Sequence, residues 1–259
     1  MTSFDLSERV AVVTGGAGGI GSHIALEYAR AGAHVVVAGR TQESLDRIAG
    51  EIETLGQQSM AVAMDITIPE QVDQLIHRTV ERFGRVDVMV NNAGGGSAMR
   101  KAEATPYDEW VRLVDFNLTG TFSCCISAGK QMIQQQSGKI INISSIAGTK
   151  GNPGMLHYSA AKAGVISLTN NLAFMWTRHN ITVNCIAPGL IATEAMKSYP
   201  GVIPPITRED GSEIPRLERP PGPEDVAKMA RFLASEAADM ITGEVIPVRA
   251  WFKSDRFWQ

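Results

Sequence analysis

Short runs of apolar and β-branched residues recur along the chain, at 10–14, 34–38, 60–64, 87–91, 139–143, 181–186 and 244–248. Each is nearly continuous in apolar character, as strands covered on both faces are. Between them lie longer stretches with helical spacing, at about 20–31, 42–55, 69–82, 106–136 (long enough for two helices), 157–178 and 223–235. Pro69 and Pro223 suit first helical turns, where a missing backbone N–H costs nothing. This alternation predicts an α/β fold: one doubly wound domain over 1–259, its seven-stranded, mostly parallel sheet carrying helices on both faces.

One stretch breaks the rhythm. From Pro188 to Pro223 no periodicity holds, and prolines recur among Gly189, Gly201, Gly211 and Gly222. A long irregular segment that follows a strand in an open α/β sheet lies where ligands bind, so 188–223 is expected to be a substrate-covering lid. A disordered surface excursion is the plain alternative.

With 44% hydrophobic residues in 259, the chain can bury a sizeable core. A net charge of -3 leaves no basic footprint, so no nucleic-acid partner is expected. No apolar stretch approaches the roughly 20 residues that span a bilayer, so no membrane partner is expected either. Met1 to Arg9 lacks an apolar run behind a basic start, so no signal peptide is expected. Cys124, Cys125 and Cys185 fit no metal spacing. They read as buried, reduced thiols of a cytoplasmic protein.

The first strand runs into TGGAGGIG, Thr14 to Gly21, and then into a helix. Glycines there allow a tight turn, close backbone approach to a pyrophosphate and close helix–strand contact. The helix N-terminus offers free N–H groups and a positive dipole end to phosphates. Two registers fit, Gly16/Gly18/Gly21 and Gly15/Gly19/Gly21, and spacing does not choose between them. After the second strand, where an NAD-selective site places a carboxylate, the sequence reads Val37-Ala38-Gly39-Arg40-Thr41. The Arg40 guanidinium could pair with a 2′-phosphate, so NADP is favoured over NAD; a solvated residue opening the next helix is the alternative.

The fifth strand ends in Asn142-Ile143-Ser144-Ser145, and Tyr158-Ser159-Ala160-Ala161-Lys162 follows. Residues i and i+4 share a helix face, which brings the Lys162 ammonium near the Tyr158 phenol. Moving a phenol from pH 10 toward neutrality needs roughly 4 kcal/mol, which the lysine and an oxidised nicotinamide could supply together. Tyr158 then exchanges a proton with an alcohol or carbonyl oxygen that Ser145 holds.

These motifs together resemble the short-chain dehydrogenase/reductase family over nearly the whole length, which implies a Rossmann fold and a small alcohol or carbonyl substrate. The resemblance favours the register Gly15, Gly19, Gly21, with Gly18 and Ile20 also at the cofactor. It implies that Asp65, followed by Ile66, contacts the adenine, and that Asn91-Asn92-Ala93-Gly94 steadies the sheet beside the cofactor. It implies that Asn117 holds a water in a proton relay to Lys162. Lys162 would also bond the nicotinamide ribose, and Pro188, Gly189, Ile191 and Thr193 would meet the carboxamide. It implies homotetramers, built largely from the helices after the fourth and fifth strands. Plain alternatives stand beside several residues. Asp65 could cap the next turn, Asn117 could bond a backbone carbonyl, and Thr193 could cap the helix that follows it. Ser144 could face the substrate in place of Ser145. His157 points about 100° from Tyr158 and reads as pocket rim or packing.

The chain departs from the family pattern in two places. Gly95 and Gly96 make a flexible exit from the fourth strand, reminiscent of enoyl- and dienoyl-thioester reductases. Pro247-Val248-Arg249 stands where Asp-Gly-Gly is usual, and an aromatic tail at 249–259 follows, suited to another subunit or the lid. Met155, Leu156, Ser97, Met196 and Tyr199 are expected pocket walls. Carbonyl reduction of a 3-oxoacyl-thioester-like or other small ketone is the favoured activity; enoyl-thioester reduction and non-catalytic dinucleotide sensing are the alternatives.

Overall fold

The computed structural model of the chain describes residues 4–96, 99–198, 202–203 and 205–250. Among them seven strands form one sheet: β1 (Val10–Thr14), β2 (His34–Gly39), β3 (Ser59–Ala63), β4 (Val88–Asn91), β5 (Gly138–Ile143), β6 (Ile181–Pro188) and β7 (Val245–Val248). Their order is β3-β2-β1-β4-β5-β6-β7, and every neighbouring pair is parallel. The order reverses between β1 and β4, so crossovers leave on opposite faces there and a crevice opens beyond Thr14 and Asn91.

The longer helices are α1 (Gly19–Arg30), α2 (Gln42–Thr54), α3 (Pro69–Phe83), α4 (Tyr107–Val114), α5 (Gly120–Gln135), α6 (Ile146–Lys150), α7 (Leu156–Trp176), α8 (Glu194–Lys197) and α9 (Pro223–Ala234). The period-2 alternation of β1 splits the core in two. Ala11 and Val13 pack with Ile24 and Tyr28 of α1, Ile48 of α2 and Leu233 of α9. Val12 faces the other way, with Leu75 of α3, Met132 of α5 and Leu172 of α7. Each large side chain so buried contributes about 1.5–3 kcal/mol. The Tyr28 hydroxyl donates to the Ala230 carbonyl at 3.0 Å and ties α1 to α9.

Three local features differ from the sequence expectation. The 106–136 stretch does not break into two separate helices; α4 passes into α5 through a π turn, Asp115–Thr119, that contains Asn117. The short α6 follows β5 directly, because the Ser145 hydroxyl accepts the Ala147 N–H at 3.1 Å and caps it. The irregular 188–223 stretch is shorter at both ends, since Pro188 closes β6 and Pro223 opens α9. Its described part holds α8, a bridge between Thr207 and Glu213, and a 3-10 turn, Arg216–Glu218. Ser97, Tyr199 and the aromatic tail beyond Ala250 lie outside the described residues. No helix among the described residues is long and apolar enough to cross a membrane.

Candidate active site

The glycines of the loop differ in what the backbone asks of them. Gly15 and Gly19 have φ of 64° and 53°, in the left-handed region. A Cβ on Gly21 would lie 2.1 Å from the Gly15 carbonyl oxygen and 2.5 Å from Asn92 Nδ2, so α1 can rest on the loop only through a glycine. Gly16 has negative φ and packs toward Val37, and Gly18 is extended at the helix cap. Gly15, Gly19 and Gly21 are thus the positions where φ or close packing most demands glycine. The Asn92 side chain donates to the carbonyls of Thr14 and Gly15, at 3.1 Å each, and fastens the loop to the end of β4. No acidic residue occupies the first turn of α1. A Cβ on Gly18 would meet nothing within 4 Å, so the N–H groups at the helix mouth stand uncovered.

At the other end of the crevice Arg40 is exposed at the tip of β2, its guanidinium carbon 5.8 Å from the Phe116 ring centroid. A second guanidinium, that of Arg47 on α2, reaches back to 3.5 Å from the Ala17 carbonyl. Asp65 fulfils its plain alternative, with Oδ1 accepting from Thr67 N at 2.9 Å and from Thr67 Oγ1 at 2.8 Å, yet it also lines the crevice. Thr193 likewise does both: its hydroxyl accepts the Met196 N–H at 3.3 Å and caps α8 while facing the same space.

The two serines after β5 divide their work. Ser144 is buried, and its hydroxyl donates to the Lys162 carbonyl at 2.8 Å, fixing the strand end to α7. Ser145 is left beside the phenol. Burial pushes the Tyr158 phenol above its ordinary value, and the Ser145 hydroxyl draws it part of the way back. The lysine lies over the tyrosine ring, on the same face of α7. Its Nζ lies 5.7 Å from the ring centroid of Tyr158 and donates to the Ile143 carbonyl at 2.9 Å. Burial brings the ammonium down to about 8.

Asn117 spends its amide on the loop after β4. Its Nδ2 donates to Gly95 O at 2.9 Å and Leu113 O at 3.0 Å, and its Oδ1 accepts from Gly95 N at 3.0 Å. The plain alternative, a bond to a backbone carbonyl, is thus met by Leu113. A Cβ on Gly94 would sit 2.8 Å from Asn117 Oδ1 and 3.0 Å from Lys162 Nζ, so both groups crowd one face of that glycine. Beneath them Asn91 Nδ2 donates to Asn142 Oδ1 at 2.8 Å, and Asn142 Nδ2 to Thr169 Oγ1 at 2.9 Å, joining β4, β5 and α7 inside the core.

The crevice encloses about 630 Å³. Every proposed site residue lines it except Gly21, which acts by close packing, and Asn117, which acts through Gly95. Met196 lines it as expected; Met155 and Leu156 do not. His157 is buried and also stands outside the lining, so it is no part of the pocket rim. Sequence reasoning missed Phe116, the platform under Arg40, and Gly95, the residue Asn117 holds. Both sit beside motif residues, yet no spacing marks them.

A switch-point crevice with a backbone phosphate cradle, a serine, a tyrosine and a lysine defines a dinucleotide-dependent α/β oxidoreductase. The chain belongs to the short-chain dehydrogenase/reductase family, whose model, described as short chain dehydrogenase, matches residues 9–201. It is similar to a 3-oxoacyl-[acyl-carrier-protein] reductase of Synechocystis sp., 40% identical over 94% of this chain and 96% of the relative. A reductase of the same description from Thermotoga maritima is 36% identical over 94% and 97%. Among solved structures, a short-chain type dehydrogenase/reductase from Mycobacterium marinum superposes with a TM-score of 0.86 at 33% identity, over 95% and 96% of the two chains. The protein is accordingly an oxidoreductase acting between CH–OH groups and carbonyls with a nicotinamide cofactor.

Proposed function

We propose that the chain is an NADP(H)-dependent ketone reductase, reversible toward the secondary alcohol, with a 3-oxoacyl thioester or a similar small ketone as substrate. The observation that carries this reading is the convergence of Ser145, Tyr158 and Lys162 on the crevice that the glycine loop opens. The two reductases of 3-oxoacyl carriers among its relatives support the substrate class.

The residues fit a dinucleotide, because Gly18 and Gly19 leave open the space at the mouth of α1 that a Cβ would begin to fill. Gly15, Gly18, Gly19 and Ile20 would hold the phosphates, and Asp65 and Ile66 the adenine. Asn92, Ala93, Gly94 and Lys162 would hold the nicotinamide ribose, and Pro188, Gly189, Ile191 and Thr193 the carboxamide. Arg40, with no carboxylate at the tip of β2 to oppose it, favours the 2′-phosphate of NADP. When bound, the nicotinamide gives or takes the hydride and, oxidised, adds a positive charge. Ser145 donates a hydrogen bond to the substrate oxygen and fixes its position. Tyr158 gives its proton to the carbonyl oxygen as negative charge develops there, or takes one from the alcohol in reverse. Lys162, one turn along α7, makes the phenolate tolerable by its positive charge.

Of the 188–223 stretch, the described residues between β6 and α9 would serve as the lid over the substrate end. Exposed Tyr107, Val111 and Phe122 on α4 and α5, with Phe174 and Met175 on α7, support a homotetramer built on those helices. Buried free thiols suit the cytoplasm. The rival enoyl-thioester reading leans on a flexible Gly95-Gly96, but Asn117 binds both polar groups of Gly95. A panel of 3-oxoacyl thioesters, simple ketones and conjugated enoyl thioesters, each run with NADPH and NADH, tests the proposal. Fastest turnover of a ketone with NADPH supports it; preference for NADH or for an enoyl thioester overturns it. Dinucleotide binding without turnover of any of them would mark a sensor.

A further inference from the structure

Helix α7 begins without a side-chain cap from the preceding residue: Met155, at the cap position, makes none. Its carbonyl already accepts the Ser159 N–H at 2.9 Å. The N–H of Tyr158 belongs to the first turn, where donors have no intrahelical acceptor. It donates to Nδ1 of His157 at 3.0 Å. A ring nitrogen that accepts from a backbone amide carries no proton, so the imidazole proton sits on Nε2. Nε2 in turn lies 3.5 Å from Glu109 Oε1 on α4. The other oxygen of Glu109 meets Arg100 Nε at 2.8 Å, and the Arg100 N–H donates to the Gly154 carbonyl at 2.9 Å. A chain of contacts therefore runs from the loop after β4, through α4, into the turn that presents the phenol, and back to the segment just ahead of it. The imidazole is 1% exposed, so solvent does not replace it.

We propose that His157 is a positioning residue for the reaction: as the Nε2–H tautomer oriented by Glu109, it supplies through Nδ1 the missing cap of α7 and fixes where Tyr158 points. This rests on the reading of Tyr158 as the proton-transferring group. The two nitrogens can be separated by substitution. In His157→Asn the amide oxygen takes the place of Nδ1 and the reach to Glu109 is lost. In His157→Gln the amide nitrogen takes the place of Nε2 and the acceptor for Tyr158 N–H is lost. The full-length protein and its His157→Ala, His157→Asn, His157→Gln and Tyr158→Phe variants are assayed for kcat and KM with NADPH and the best ketone of the panel, with melting temperature measured alongside.

His157→Ala and His157→Gln are expected to lose roughly ten- to a hundredfold in kcat, the scale of a small misplacement of a reacting group. KM for NADPH is expected to stay within about twofold. His157→Asn is expected to recover most of kcat. Parent-like kcat in His157→Ala, recovery by Gln in place of Asn, or a kcat that simply follows melting temperature across the set overturns the inference. Tyr158→Phe keeps the two claims apart. If it retains parental activity, the proton-transfer reading itself fails. If it is inactive while His157→Ala is unimpaired, only the positioning role fails.

Discussion

Lys162 should make the protein less stable at neutral pH than a chain without its charge, and the deficit should fade as pH rises. Burial lowers this ammonium from the ordinary lysine value to about 8. At about 1.4 kcal/mol per pH unit, holding it charged in the fold costs roughly 3 kcal/mol. Lys162→Met keeps the length of the side chain and removes the charge. It also removes the donor to the Ile143 carbonyl, at about 1–3 kcal/mol. The two nearly offset at pH 7, with the variant equal to the parent or up to about 2 kcal/mol more stable. Below about pH 8 the lysine is protonated in both folded and unfolded chains and the penalty is complete. Between there and the unfolded value near 10.5, the unfolded chain binds one more proton than the folded one, so the parent gains stability with rising pH. From pH 7 to pH 9.5 the parent should therefore gain about 2 kcal/mol on the variant. Cys124, Cys125 and Tyr28 titrate alike in both chains and cancel in the difference, while Cys185, which feels the Lys162 charge, titrates only at about 11, above the range compared. Urea titrations followed by tryptophan fluorescence, at one fixed protein concentration, measure it. A gap between parent and variant that stays constant over this range, or moves the other way, refutes the reasoning.

Removing the guanidinium by Arg40→Ala should cut the preference for NADPH over NADH by about ten- to a hundredfold, the worth of one charged hydrogen-bonding group; an unchanged ratio of kcat/KM values would remove Arg40 from the site. Gly21→Ala places a methyl group 2.1 Å from the Gly15 oxygen, so it should cost about 1–3 kcal/mol and weaken dinucleotide binding, checked by thermal melting and by fluorescence titration with NADPH. The three thiols should stay silent to a thiol-reactive dye at pH 8 and appear only on unfolding. Cys124, Cys125 and Cys185 are all buried, with Cys125 pushed up to about 12 and Cys185 to about 11. A thiol that reacts in the native protein contradicts this.

The strands were legible because a parallel sheet buries both faces, so runs such as VAVVT and HVVVAG announce themselves without regard to context. The tight glycine loop after β1 was legible because close backbone approach demands glycine, a requirement that sequence cannot disguise. What stayed hidden was fixed by contacts across the fold. A five-residue helix such as α6 is too short to show a period, and only the Ser145 cap marks it. The π turn has no spacing signature, because Asp115–Thr119 carries on the pattern of its neighbours. That Lys162 is also held by a strand carbonyl, and that Gly95 is pinned by Asn117, depends on distances between distant segments. Spacing to Tyr158 favoured Ser145 over Ser144, but the place of Ser144 was hidden for the same reason: the partner that takes it is the Lys162 carbonyl, 18 residues away.

The π turn also sits between two duties of one helical run. An extra residue in plain α winding would rotate everything beyond it by about 100°, and the wide turn takes that residue up. Ahead of the turn, α4 aims Glu109 at His157; past it, α5 lays Cys124, Cys125, Ala128 and Met132 under the sheet. Excising one residue from 115–119 would let ordinary winding run from α4 into α5 with both faces kept, and would cost only the wide turn that carries Asn117 to Gly95. A one-codon deletion here is thus a lesion of one contact, whereas the same deletion elsewhere in the helix would turn every residue beyond it.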